Sequence, residues 1–294
     1  MEIRVLRYFL TVVREESITK AAEVLHITQP TLSRQLAQME ETLGVQLFIR
    51  GTRKIALTNE GMLLRRRAEE ILELVDKTER ELVEQEEELE GIVSIGGGDL
   101  KAMQLLPEIV ERFREKYPKV TFELYTATAD HIKDRIDRGL TDIGILLEPI
   151  NIDKYDFIRL NQKEKWVVSM HPDDPLAKKT YVTADDLIDV PLILPHRLNV
   201  QSELANWFGN SYEKLNVVFK SNLPANSSLM VCNRLAYAIT VTGSIELWDK
   251  EKITYRPLYP ELTATSVMAW KRHQPFGKAA EKFIEYLKVY LSGK

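Results

Sequence analysis

From Ser17 to Gly44 the chain reads SITKAAEVLHITQPTLSRQLAQMEETLG, and no other stretch narrows the possible folds so far. Ser17 is a good N-cap, and Ala21, Ala22 and Leu25 line the inner side of a short first helix, where small residues let a neighbour approach closely. His26-Ile27-Thr28 forms a tight turn, with Ile27 as its one apolar plug. Thr28 reads as the cap of a second helix, and Pro30 falls in its first turn, where a missing N–H costs little. Leu32, Leu36, Met39 and Leu43 recur every four, three and four residues and mark a buried stripe. Gly44 suits the left-handed residue that closes a helix. Gln29, Pro30, Thr31, Ser33 and Arg34 are left facing outward at the leading end. This is the layout by which a helix enters the major groove of a duplex. Gln and Arg can read adenine and guanine edges, Ser and Thr can bond phosphates, and Pro can touch a thymine methyl.

Taken singly, a Gln, Ser or Arg on a helix is usually solvated surface; the following segment gives this group its meaning. Leu47 to Arg50, Gly51-Thr52, then Arg53 to Thr58 reads as a β-hairpin with a basic tip of Arg50, Arg53 and Lys54. Such a wing can reach phosphates or a minor groove while the helix occupies the major groove. Residues 1–66 resemble the DNA-binding domain of the LysR-type transcriptional regulators. The resemblance rests on Phe9, Ser17, Ala21-Ala22, Leu25, Gln29-Pro30, Ser33, Glu40, Leu43-Gly44, Leu47-Phe48, Arg50, Leu57-Thr58 and Gly61. It implies groove contacts by Gln29, Pro30, Ser33 and Arg34, and a backbone or minor-groove contact by Arg53.

The net charge of −4 looks wrong for a duplex binder until it is divided. Residues 1–66 carry ten Lys/Arg against seven Asp/Glu, whereas residues 67–90 carry three against eleven. The acidity is confined to one segment, and phosphate attraction is local to the head. That segment lacks proline and, from Met62, runs to Gly91 without glycine. Thr58 or Asn59 caps it. Leu64, Ala68, Ile71, Val75, Thr78, Leu82, Gln85 and Leu89 alternate at intervals of four and three, a heptad seam that predicts pairing with a second copy. A helix packed on its own chain is the competing reading. Pairing would place two heads on a pseudo-palindromic site. The family resemblance implies a homodimer through this linker helix, commonly assembled into a homotetramer.

Beyond Gly91, short apolar strands alternate with amphipathic helices, which predicts a mainly parallel sheet covered by helices. Strands are expected near 92–96, 120–125, 142–146, 166–170, 192–194, 217–219 and 236–239, and a last helix over 276–291. YPKVTFELY, GLTDIGIL and HPDDPLA resemble the effector domain of the same family, which implies two lobes with the fold of periplasmic binding proteins. At Asn233 to Tyr237 the chain departs from the family, which usually places glycines there. The expected fold is an α/β multi-domain chain. It comprises a winged helix-turn-helix domain (1–58), a linker and dimerisation helix (59–90) and an effector domain (91–294). Lobe I is expected over about 91–162 and 266–294, and lobe II over about 163–265.

Parallel sheets bind ligands at the carboxyl ends of their strands. Three loops qualify, and from them Gly98, Asp99, Leu100, Lys101, Thr126, Thr128, His196 and Gln201 are the candidate effector contacts. Many family members have Ser or Thr where this chain has Asp99 or Leu100. Asp99 reads either as a helix cap or as a selector for an amine-bearing ligand. The glycine run before it lacks the Lys-Ser/Thr signature of a phosphate loop.

An enzyme and a small-molecule carrier are the rival readings. The five histidines are scattered, without HExxH, a cysteine cluster or GxSxG, so neither catalytic residues nor a metal or cofactor is expected. The single Cys232 excludes an internal disulfide framework and sits in an apolar run as a small hydrophobe. No segment is apolar enough to span a membrane, and MEIRVLRYFL does not read as a secretory leader, so a cytoplasmic protein is expected. The expected partners are a double-stranded DNA operator, a small-molecule effector and further copies of the chain.

Overall fold

The computed structural model describes residues 2–49, 55–83 and 89–292, and divides the chain into compact units over 1–83 and 84–294. In the first unit, α1 (Ile3–Glu15), α2 (Ile18–Val24) and α3 (Gln29–Leu43) are followed by β1 (Phe48–Ile49), β2 (Ala56–Leu57) and α4 (Asn59–Val83). The Ser17 side chain accepts from the Lys20 N–H and caps α2. At the other end His26 takes a left-handed conformation (φ 54°), and the Ile27 N–H returns to the Ala22 carbonyl. That pairing is how a helix closes when a left-handed residue follows it. Gly44 (φ 69°) ends α3 in the same way.

Leu6, Phe9, Val12, Ala21, Ala22, Leu32, Leu36 and Met39 form the buried centre of the head. Leu43, the last member of the expected stripe, is 39% exposed at the closing end of α3. The expected cap Thr28 makes no side-chain bond to the helix; its hydroxyl pairs instead with that of Thr31 at 2.8 Å. Thr58 does cap α4, accepting from the Gly61 N–H at 3.0 Å.

The seam expected along α4 is partly used by the chain itself. Ala68 is buried in the head's core, and Leu64 and Ile71 pack against it together with Leu72. Arg7 on α1 clasps Asp76 on α4. A heptad pattern only asks for an apolar partner, and here α1 supplies one for the first half of the seam. Among the described side chains of α4, the large apolar ones left exposed are Met62, Leu63 and Leu74. Gln85 and the side chain of Leu82 lie outside the described residues, and Leu89 packs on the core of the second unit.

The second unit is built on one nine-stranded sheet of order β4-β3-β5-β11-β6-β9-β7-β8, with β10 alongside β6. Its strands are β3 (Gly91–Gly97), β4 (Val120–Thr126), β5 (Ile143–Leu147), β6 (Tyr155–Met170), β7 (Leu192–Pro195), β8 (Val217–Ser221), β9 (Tyr237–Val241), β10 (Thr254–Pro257) and β11 (Thr263–Lys271). β3 pairs in parallel with β4 and β5, and β7 in parallel with β8 and β9. The expected mainly parallel sheet is therefore two parallel triplets, joined by long antiparallel strands. β11 pairs antiparallel with β5 and β6, and β6 continues antiparallel to β9 and β10. α5 (Leu106–Lys116), α6 (Ala129–Asp137), α7 (Leu198–Phe208), α8 (Pro224–Cys232) and α9 (Lys278–Ser292) complete the unit. Returning to the first triplet, α9 sets Phe283 at 4.9 Å from the Phe113 ring and 5.0 Å from the Phe122 ring.

At the point where the chain passes between the triplets, Glu164 is buried with its carboxylate saturated. It accepts from the Lys101 N–H, from the Gly243 N–H at 3.0 Å and from the Thr242 hydroxyl at 3.1 Å. Gly243 is required there, because a Cβ would lie 2.0 Å from the Lys101 nitrogen. Arg234 follows α8 in the left-handed conformation (φ 59°), which explains the departure from glycine: the backbone shape is kept without the residue, and the side chain holds Asp173 at 2.6 Å.

Candidate functional site

Two surfaces bring the sequence-predicted residues together. The first is the leading end of α3. Gln29, Pro30 and Arg34 are exposed there, with Thr31 and Ser33 half-buried beside them. Among the described residues Arg34 has no ion-pair or hydrogen-bond partner. Behind this end, Leu32 and Leu36 are fixed in the core, so the polar residues are presented by a rigid element. The wing base is antiparallel, with Phe48 opposite Leu57 and Ile49 opposite Ala56. Arg50, Arg53 and Lys54, expected at its tip, lie outside the described residues.

Glu40 on α3 anchors the wing base. Buried in the head, it accepts from the Leu47 N–H at 2.6 Å and the Phe48 N–H at 3.2 Å. The Phe48 ring packs on Phe9 at 5.5 Å. Gly61 completes the joint, since a Cβ would stand 2.2 Å from the Leu47 carbonyl oxygen. An acid on the inner face of α3 four residues before a helix-closing glycine was a signal of this role.

The second surface is an open cleft between the two parallel triplets. Gly98, Asp99 and Leu100 line it after β3, Thr128 at the start of α6, and His196 after β7. Lys101, Thr126 and Gln201 do not. Lys101 gives its N–H to Glu164 and sends its ammonium group toward Glu246 at 3.9 Å. Thr126 is the exposed last residue of β4. Gln201 turns back to donate to the Pro195 and His196 carbonyls at 3.0 Å each, shoring the loop from behind.

Sequence reasoning missed several lining residues: Trp166 at the strand crossing, Asn222-Leu223-Pro224 after β8, and Thr240, Val241 and Ser244 around the end of β9. The rule that ligands sit beyond strand carboxyl ends covered the β8 and β9 loops too. It also missed Arg197. This guanidinium, only 10% exposed, reaches across the cleft to Asp130 at 2.9 Å and to the Leu147 and Pro149 carbonyls at 3.2 and 3.1 Å. Asp99 is the opposite case. Leu100, not Asp99, precedes the 3₁₀ turn at Lys101–Leu105. Among the described residues the Asp99 carboxylate has neither a hydrogen-bond nor an ion-pair partner, and burial pushes its carboxyl above the usual range. Trp166 is buried, and among the described residues its indole N–H has no partner.

Family models match both units. Residues 3–62 match the bacterial regulatory helix-turn-helix protein, lysR family, and residues 86–292 match the LysR substrate binding domain. The chain belongs to the LysR family of transcriptional regulators.

Among curated LysR relatives, it is 29% identical over 282 residues to the Hca operon transcriptional activator HcaR of Escherichia coli (strain K12), covering 92% of each chain. It is 32% identical to the regulator YtlI of Bacillus subtilis (strain 168), over 73% of this chain and 71% of that one. The crystal structure of CbnR, a LysR family transcriptional regulator, covers 99% of both chains with a TM-score of 0.76 at 20% identity, a likeness of fold. Full-length CbnR in complex with its target DNA matches at a TM-score of 0.75 and 20% identity, over 98% of this chain and 99% of that one. This LysR chain is a DNA-binding regulator with a substrate-binding domain, not an enzyme. Among the described residues no helix is long and apolar enough to cross a membrane.

Proposed function

We propose that this LysR-type regulator reads its operator with Gln29, Pro30, Thr31, Ser33 and Arg34, and holds phosphates with Arg50, Arg53 and Lys54. The observation that carries this reading is the leading end of α3: polar, outward, cationic and unpartnered at Arg34, on a helix whose opposite face is locked in the core. Residues 1–58 form the reading head, 59–90 the linker and 91–294 the effector domain. Two copies pair through α4, using the apolar side chains that it leaves exposed rather than the half-seam absorbed by the head. Pairs of such dimers make a tetramer, and the protein works in the cytoplasm. An effector in the cleft touches Gly98, Asp99, Leu100, Thr128 and His196, with Lys101, Thr126 and Gln201 at its margin. It acts by binding one arrangement of the linkers better than another, a shift of population that requires differential affinity.

Selection of duplexes from a randomised pool, followed by titration at two salt concentrations, tests the head. Arg34→Ala is expected to cost about 1–3 kcal/mol and relax sequence preference, while Arg53→Ala weakens binding to all duplexes and flattens the salt slope. Unchanged preference with Arg34→Ala would remove that residue, and no salt-dependent duplex binding at all would sink the reading. For the effector, the corresponding failure is a footprint that no member of a broad metabolite panel alters.

A further inference from the structure

The cleft's chemistry is legible beyond its location. Its single guanidinium, Arg197, is already spent on Asp130 and two carbonyls, leaving no free Lys or Arg among the lining residues. Its single carboxylate, Asp99, has no partner among the described residues, although it is half-buried. A partly desolvated carboxylate without a counter-charge is unfavourable in the empty protein, and a cation beside it removes that cost. Much of the remaining wall is apolar, with Ile145, Leu147, Val200, Leu223 and Val241, and the polar groups among them are uncharged hydroxyls, the Asn222 amide and the His196 ring. Trp166 adds an aromatic surface, the side chain that best tolerates an organic cation.

The geometry points to a protonated amine on an apolar body as the ligand of this cleft, its ammonium group on Asp99. This rests on the effector reading above and narrows it to a chemical class. The N-terminus of α6, at Thr128 and Ala129, lines the same cleft and suits a hydrogen-bond acceptor elsewhere on such a molecule. Those groups do not serve an ammonium, so they leave the assignment of Asp99 intact.

Calorimetric titration of the full chain with three probes that share a phenylethyl body separates the charge classes: 2-phenylethylammonium, 2-phenylethanol and 3-phenylpropionate. The ammonium probe is expected to bind about tenfold or more tightly than the alcohol, and to lose that advantage in Asp99→Asn. Asp99→Glu, which keeps the charge, should restore part of it. Circular dichroism and thermal unfolding check that both variants are folded. Preference for 3-phenylpropionate, or ammonium binding that survives Asp99→Asn, would overturn the assignment while leaving the cleft a ligand site. Binding by none of the three would overturn it as well, and the metabolite footprint would then judge the effector reading separately.

Discussion

The reading head and the cleft each carry an arginine at their centre, and the two are used in opposite ways. Arg34 stands in solvent with no partner among the described residues, whereas Arg197 is nearly enclosed and makes contact with Asp130 and two carbonyls. An uncommitted cation on a rigid helix is available to an outside anion. A committed one is part of the architecture, and it leaves the charge of its surroundings to be set by something else, here Asp99. Whether a charged side chain is already satisfied thus separates recognition from support better than its residue type does.

The largest expected effect tests the support side. Gly243→Ala drives a methyl group into the Leu100–Lys101 backbone and should cost about 3 kcal/mol in urea unfolding. An unaffected midpoint would show that the crossing is loose, and would weaken the contrast. Next, Arg197→Ala strands two carbonyls and removes a charge-assisted pair, for about 2 kcal/mol, scaled down because Asp130 is solvent-exposed. Arg34→Ala, by comparison, should change folding stability by no more than about 0.5 kcal/mol while impairing duplex binding. Equal stability losses for the two arginines would break the comparison outright.

The smallest effect sharpens it. Burial raises the Asp99 carboxyl above its unfolded value, so folding favours the protonated form, and the ionised form detracts from stability at neutral pH. Asp99→Asn should therefore be slightly more stable than the parent at pH 7. The gap should close as the pH falls through the raised value toward the ordinary carboxylate range. A variant less stable than the parent at neutral pH would mean that the carboxylate is held by a favourable contact.

The head was legible because its determinants are local. Ser17, Gly44 and the Leu32-Leu36-Met39 stripe lie within one short stretch and act over one or two helical turns. The seam along α4 was legible as a pattern but not as a pairing, since periodicity does not say which apolar surface answers it. The long strand β6 was seen only in its apolar last third. Its first part, YDFIRLNQKEK, exposes Phe157, Arg159, Asn161, Lys163 and Lys165 in alternation and shows no apolar run until β11 is brought beside it. Arg197 was hidden for a related reason. Asp130, Leu147 and Pro149 are 67, 50 and 48 residues away, and nothing near Arg197 in the chain announces them.

The crossing strands have one more consequence. The backbone of Trp166 donates to the Leu262 carbonyl at 2.9 Å and accepts from the Leu258 N–H at 3.2 Å, while the residue lines the cleft. One residue thus ties the outgoing and returning connections between the halves. The wall of the cavity and both passages of the chain between the halves therefore share a single residue, so neither passage can shift there without the other.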